Sequence, residues 1–183
     1  MNLDAFADLI ERQRQSYESI PPVEDWNPPL CGDMDLVVRQ DGSWIHQGTP
    51  IKREALIRLF ASVLKREGND FFLVTPVEKW RIQVDIAPLF VTSLQIEHRD
   101  GSQVLIFETS TGDTVVAGPD NPLWMEKEGR GRNPVPLLRV RSNLDAVISR
   151  SVYYQLAEHC ESRVLDTVER VGVVSLGAFF PLD

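Results

Sequence analysis

The sequence predicts an α+β fold, and three observations point there. Short runs of alternating apolar and polar residues are joined by Asp-Gly turns. Apolar residues recur at helical spacing in only a few stretches. The two patterns are segregated along the chain, not interleaved as regular strand–helix repeats. The 183 residues fit one large domain or two small, interlocked ones. A chain of that length buries roughly 70% of its unfolded surface, so a core is expected without metal or disulfide.

Residues 3–18 predict an amphipathic helix with Leu3, Phe6, Leu9 and Ile10 on one face. From Ile20 to Pro29 prolines recur, and their fixed φ and missing N–H make the stretch extended and unable to join a helix. Val23 and Trp26 are the residues that would pin this strap to the body. Met34–Arg39 and Ser43–Gln47 flank Asp41-Gly42, a hairpin signal. A helix is then predicted from Thr49-Pro50 to Gly68, with Leu56, Leu59, Phe60, Val63 and Leu64 as its core-facing stripe. Phe71–Thr75 and Lys79–Ile86 predict strands around Pro76. In the second, Trp80, Ile82, Val84 and Ile86 alternate with Lys79, Arg81, Gln83 and Asp85.

Three more strands, at Leu94–Arg99, Gln103–Glu108 and Asp113–Ala117, make a meander. A Pro/Gly-rich loop from Gly118 to Pro136 follows, then a strand at Leu137–Arg141. A helix capped at Ser142 or Asn143 is expected to run to about His159, before a last strand near Val171–Phe180. Hairpin–helix–strand near the start is thus echoed by strand–helix–strand near the end. The organisation that follows is an N-terminal helix and proline-rich strap (1–27) and two units, 28–90 and 91–183. Each unit is expected to set one main helix on antiparallel strands.

Charge narrows the function classes. The net charge of −8 argues against nucleic-acid binding, which depends on neutralising phosphates. Residues 126–150 reverse that balance, with six basic residues against three acidic ones, so an anion is welcome there. The acidic N-terminus (Asp4, Asp8, Glu11) is unlike a signal peptide, and the longest nearly apolar run, Val171 to Leu182, is too short to span a bilayer. A cytoplasmic protein that avoids membranes is the expectation. Cys31 and Cys160, far apart and without spacing pattern, agree with a reducing compartment.

No catalytic motif is recognisable. His46, His98 and His159 form no metal-binding pattern. Gly172-Val173-Val174-Ser175-Leu176-Gly177 has its first glycine one place too far from the serine for a nucleophile elbow, and no helix follows. Cys31 has nothing nearby that would activate a thiol. Gly129-Arg130-Gly131-Arg132 occurs once, in an acidic protein, and is expected to be an exposed loop. Arg139 and Arg141, two apart in a strand, share a face, and two guanidinium forks on one face suit phosphate or carboxylate. The structural alternative is that each pairs with a local carboxylate.

Several blocks carry a family resemblance. Cys31-Gly32-Asp33 with Asp35, then Asp41-Gly42, Trp44, His46, Gly48 and Pro50-Ile51, resemble the bacterial domain-of-unknown-function family 1285. So do Phe60–Leu64, Leu73–Lys79, Val84–Leu89, Val140-Arg141 with Leu144 and Ala146, and Val174-Ser175 with Gly177 and Phe179-Phe180. The resemblance covers nearly the whole chain from Pro28, although the family's Asp-Ala-Pro-Phe stands here as Ile86-Ala87-Pro88-Leu89.

The resemblance implies two related units, the C-terminal one loosely similar to pleckstrin-homology folds. It also implies a nucleotide-like ligand between the units and a role in signal transduction. It directs attention to Thr75, Glu78, Lys79 and Arg81 beside Arg139 and Arg141 as ligand-binding residues. The favoured expectation is therefore a small-ligand module for a nucleotide-like anion, with a signalling protein as a further candidate partner and no cofactor specified. The alternatives are a protein-interaction or structural module without small ligand, and an unrecognised enzyme.

Overall fold

Residues 3–14, 20–126 and 134–183 are described by a computed structural model of the protein, and the chain divides into two units, Met1–Asp85 and Ile86–Asp183. In the first unit, helix α1 (Leu3–Arg14) buries Phe6, Ala7 and Ile10. The proline strap makes a single 3₁₀ turn at Val23–Asp25 and is held by buried Val23 and Trp26. Strands β1 (Leu30–Val38) and β2 (Trp44–His46) form the expected hairpin. Its turn is closed by the Asp41 carboxylate, which accepts from the Ser43 backbone N–H at 2.9 Å and the Ser43 hydroxyl at 2.6 Å. Those hydrogen bonds hold Asp41 below the usual carboxylate range.

The long helix expected from Thr49 to Gly68 is corrected. Thr49-Pro50 is β3, paired with β2. Helix α2 covers only Glu54–Ser62, and Leu64–Glu67 is a strand, β4. Leu59, Phe60, Val63 and Leu64 are buried and Leu56 is half-buried, but Val63 is the residue that ends α2 and Leu64 reaches the core from β4. Helix and buried strand look alike in a short apolar run. Gly68, at φ +61, turns β4 into β5 (Asp70–Val74), and β6 (Lys79–Val84) completes the sheet.

The order in this sheet is β3-β2-β1-β6-β5-β4. All neighbours are antiparallel except the central pair, where β1 and β6 run parallel from Leu30 beside Lys79 to Val38 beside Val84. The register slips near Gly32, whose φ of +141 is a conformation that side-chain-bearing residues rarely adopt. On this sheet, Phe60 of α2 lies between Phe6 (ring centroids 6.2 Å apart) and Trp44 (6.4 Å), all three nearly or fully buried.

The second unit repeats the plan. Its strands are β7 (Leu89–Arg99), β8 (Ser102–Thr109), β9 (Thr114–Val116), β10 (Leu123–Glu126), β11 (Val135–Arg141) and β12 (Leu144–Ile148). They are ordered β10-β11-β12-β7-β8-β9, with β12 parallel to β7. Taken from the other edge, that is third-second-first-sixth-fifth-fourth, the order of the first sheet, with the first and sixth strands again parallel. The expectation of purely antiparallel strands is thus corrected in the same place in both units. The helices do not follow the repeat: α2 joins the third and fourth strands of its sheet, whereas α3 (Arg150–Ala157) follows the sixth.

Three further expectations change in this unit. The loop from Gly118 to Pro136 contains β10 and the start of β11, and the Gly129–Asn133 segment lies outside the described residues. The helix expected from Ser142 is split: β12 comes first, and α3 starts after Ser149, whose hydroxyl caps it by accepting from Val152 N–H. All five β12 residues are buried, so the strand shows no alternation. The expected last strand, Val171–Phe180, is broken by a turn at Leu176-Gly177 and belongs to two of the three strands β13 (Glu161–Leu165), β14 (Val168–Ser175) and β15 (Ala178–Pro181), which form a separate antiparallel sheet. Among the described residues no helix is long and apolar enough to cross a membrane.

If the aromatic contact between α2 and its sheet organises the first core, Phe60→Ala should cost about 3–5 kcal/mol of stability. Urea denaturation measures this, and a loss below about 1 kcal/mol would contradict the assigned packing.

Candidate functional site

The six expected ligand-binding residues fall into two groups, four in the first unit and two in the second. Thr75 directly follows β5 and is fully buried. Its hydroxyl accepts from the Glu78 N–H at 3.0 Å and the Val77 N–H at 3.4 Å, closing the turn around Pro76. Glu78 accepts from the Trp80 indole N–H at 3.1 Å. Lys79 donates to both Glu67 oxygens, at 2.9 and 3.2 Å, and stands 5.1 Å from the centre of the Phe72 ring. Arg81, opposite Phe72 in the β5–β6 register, lies over the same ring at 5.8 Å. It has Asp33 at 3.6 Å and Asp70 at 3.9 Å.

Phe72 thus has two cations near its ring, each with carboxylates beside it. A third cation, Lys65, is opposite Phe72 on β4. It is buried, donating to the Trp26 carbonyl at 2.8 Å and the Glu24 carbonyl at 3.3 Å, with Glu67 at 3.6 Å. This lysine ties the strap to the sheet. Its burial went unforeseen because residues 64–67 were expected to be helical. The Lys79 hydrogen bond holds Glu67 below the usual glutamate range against the opposing effect of desolvation.

In the second unit, Arg139 and Arg141 alternate with buried Leu138 and Val140 as expected, but the β11–β12 register slips between them. Each guanidinium has its own carboxylate. Arg139 donates through Nε to Asp145 on β12 and lies 5.8 Å from the Trp124 ring centre. Arg141 donates to Asp113 in the β8–β9 turn, and the same carboxylate accepts from the Thr109 and Thr111 hydroxyls at 2.9 Å each. Trp124 packs on a small core cluster of Ala87, Val135, Leu137 and Val147, which places the Arg139 fork at the edge of an aromatic surface.

The structure also contains a concavity of about 320 Å³ in the second unit, lined by Gly101, Ser102, Gln103, His159, Glu161, Arg163, Val174 and Gly177. None of the six expected residues lines it. It is assembled from the β7–β8 turn, the segment after α3, β13, β14 and the β14–β15 turn, and no short sequence window contains such a set. Its lining offers an imidazole, a carboxylate and a guanidinium.

The remaining reactive side chains have structural partners. Ser175 is fully buried, accepts from Leu105 N–H at 3.0 Å and donates to the Ala117 carbonyl at 2.7 Å, which joins β14 to the main sheet. Burial pushes the Cys160 thiol up, and Cys31 is exposed with its thiol toward the Pro29 carbonyl. Among the described residues no group of three or more His, Cys, Asp or Glu side chains is placed to hold a metal ion.

The lowered Glu67 has a definite pH consequence. Its carboxylate contributes stability that is fully present above the ordinary glutamate pKa, about 4.3, and is lost as pH falls through the lowered folded value. Glu67→Gln should therefore cost up to about 1 kcal/mol at pH 7. Denaturation curves should show the difference from the native chain shrinking below pH of about 4.3. A difference independent of pH would contradict the ion pair.

The chain resembles two proteins of known structure. A DUF1285 family protein from Silicibacter pomeroyi DSS-3 aligns with TM-score 0.88 at 42% identity, over 99% of this chain and 94% of that one. A DUF1285 family protein from Shewanella baltica OS155 aligns with TM-score 0.54 at 25% identity, over 68% of this chain and 91% of that one. No protein of curated function matches. The N-terminal domain described as a domain of unknown function, DUF1285, matches residues 21–87, and the C-terminal domain of the same description matches residues 88–182. The chain belongs to the DUF1285 family.

Proposed function

We propose that the chain is a binding module for a small, nucleotide-like anion, acting in cytoplasmic signal transduction by binding and not by turnover. The observation that supports this most is at Arg81. Among the described residues, its Nε is the buried side-chain nitrogen with no hydrogen-bond partner. Its side chain is 42% exposed, and Asp70 at 3.9 Å lies beyond hydrogen-bond reach. The buried Nε is out of a ligand's reach, but the exposed part of the guanidinium can take charge-assisted hydrogen bonds from an incoming phosphate or carboxylate. Lys79, two residues away on the same face of β6, adds positive charge, and both cations lie near the Phe72 ring.

Arg139 is a further candidate contact, within the second unit. A planar cation beside the Trp124 ring suits a ligand that combines an anionic group with a flat base. Arg141 stands lower, because Asp113 already engages it. The likeness of the second unit to pleckstrin-homology folds belongs to the same proposal. It is supported by a run of meandering strands followed by the single helix α3.

A thermal-shift screen of mono-, di- and cyclic nucleotides tests the proposal, with Arg81→Ala, Arg139→Ala and Arg141→Ala each compared with its own ligand-free melt. A ligand at 100 times its dissociation constant stabilises by about 2.7 kcal/mol, so the native chain should melt roughly 5–10 °C higher. The shift should disappear in Arg81→Ala and shrink in Arg139→Ala. No shift with any compound, or undiminished shifts in all three variants, would contradict it.

A further inference from the structure

We propose that the outer edge of β13 is a self-association surface, on which a second copy of this chain lays its own β13 antiparallel to form a two-fold dimer. β13 is the terminal strand of the three-stranded sheet, and all five of its residues are exposed. The hairpin it forms with β14 carries apolar side chains into solvent: Val164 is 72% exposed, Val168 54%, Val171 43% and Leu165 41%. Natural edge strands are short, covered or heavily charged because an open ladder recruits another strand. This edge is uncovered and mixes apolar residues with one pair of opposite charges.

The direction of the open hydrogen-bonding groups follows from the turn. Asp166 and Thr167 both have positive φ (+49 and +71), the conformation of a two-residue type I′ hairpin. Leu165 and Val168, which flank such a turn, exchange hydrogen bonds with each other. Arg163 and Glu161, alternating back from Leu165, likewise point their backbone groups at β14. The N–H and C=O groups of Ser162 and Val164 therefore point outward. An independent contact agrees: Val171, opposite Ser162, offers its carbonyl to Leu182 N–H on the other side of β14.

Charge complementarity selects the register. With Ser162 opposite Ser162 of the second copy, Glu161 faces Arg163 and Arg163 faces Glu161, in the closer, non-hydrogen-bonded positions. Val164 then faces Cys160 of the other copy. Moving one copy along by two residues sets Arg163 against Arg163, which is repulsive. Glu161 and Arg163 already share a face and pair within one chain, with Arg163 over the Phe179 ring at 5.2 Å. That stack is permitted by Gly172, where a Cβ would fall 2.9 Å from the Phe179 ring and 2.2 Å from the Phe180 carbonyl oxygen. Pairing the edges exchanges the two internal ion pairs, one in each copy, for two reciprocal ones.

Sedimentation velocity of the full chain over a wide concentration range tests the proposal. The native chain should show a reversible monomer–dimer equilibrium. Val164→Pro removes an outward N–H while sparing the bonds to β14, and should be monomeric with an unchanged circular dichroism spectrum. Arg163→Glu should weaken the dimer by about tenfold or more. Combining Arg163→Glu with Glu161→Arg should restore it, because the reciprocal pairs are rebuilt. A native chain that stays monomeric, a Val164→Pro chain that dimerises like the native one, or a reversed pair that fails to restore the dimer would each overturn the proposal.

Discussion

The parallel contact between the first and last strands of each six-stranded sheet is the constraint on which the remaining structure depends. Either half of a sheet is a three-stranded antiparallel meander. Its hairpins are marginal alone in water. β1 beside β6, and β7 beside β12, join two meanders into one sheet with a shared buried face. The residues at these seams are among the most buried: Leu36, Val38 and Ile82 in the first unit, Leu89, Val91, Ala146 and Ile148 in the second. The contact is non-local, so its loop-closure entropy must be met before the core forms. Once it forms, α1 and α2 have a surface to cover in the first unit and α3 one in the second.

Charge placement follows from the same frame. Strands brought side by side put Lys79 near Glu67 and Arg139 beside Asp145. The basic character of residues 126–150 is therefore largely spent inside the second sheet wherever those residues are described. Arg139 and Arg141 are each held by a carboxylate. In the first unit the balance differs, because Arg81 keeps an unsatisfied donor beside half-exposed surface. The distinction separates cations whose donors are engaged within the fold from one whose Nε is left without a hydrogen bond.

Local patterns made part of this legible. Asp41-Gly42 between two apolar runs identifies its hairpin because the turn needs a residue tolerant of positive φ, and Gly42 has φ +83. Trp80 through Val84 alternates in residue type, and burial follows the pattern at the strand's centre, where Ile82 is buried and Gln83 exposed. β12 could not be distinguished from helix, since a strand buried on both sides has no period of two. The β4 strand was concealed for a related reason, as Val63 and Leu64 continue the apolar stripe of α2 without a break. Ion-pair partners such as Asp113 for Arg141 are distant in sequence and become visible only once strand order is known. The same is true of the concavity around His159 and of the open edge of β13.

Residue-resolved amide hydrogen exchange under native conditions tests the central claim most directly. The slowest amides should lie along the two parallel seams, in β1 and β6 and in β7 and β12, because opening them requires separating the meanders and exposing the core. Faster exchange should mark β3, β9 and the β13–β14 hairpin. If the slowest amides lie instead in the outer hairpins while the seams exchange early, the parallel pairs do not hold the sheets together and the account fails.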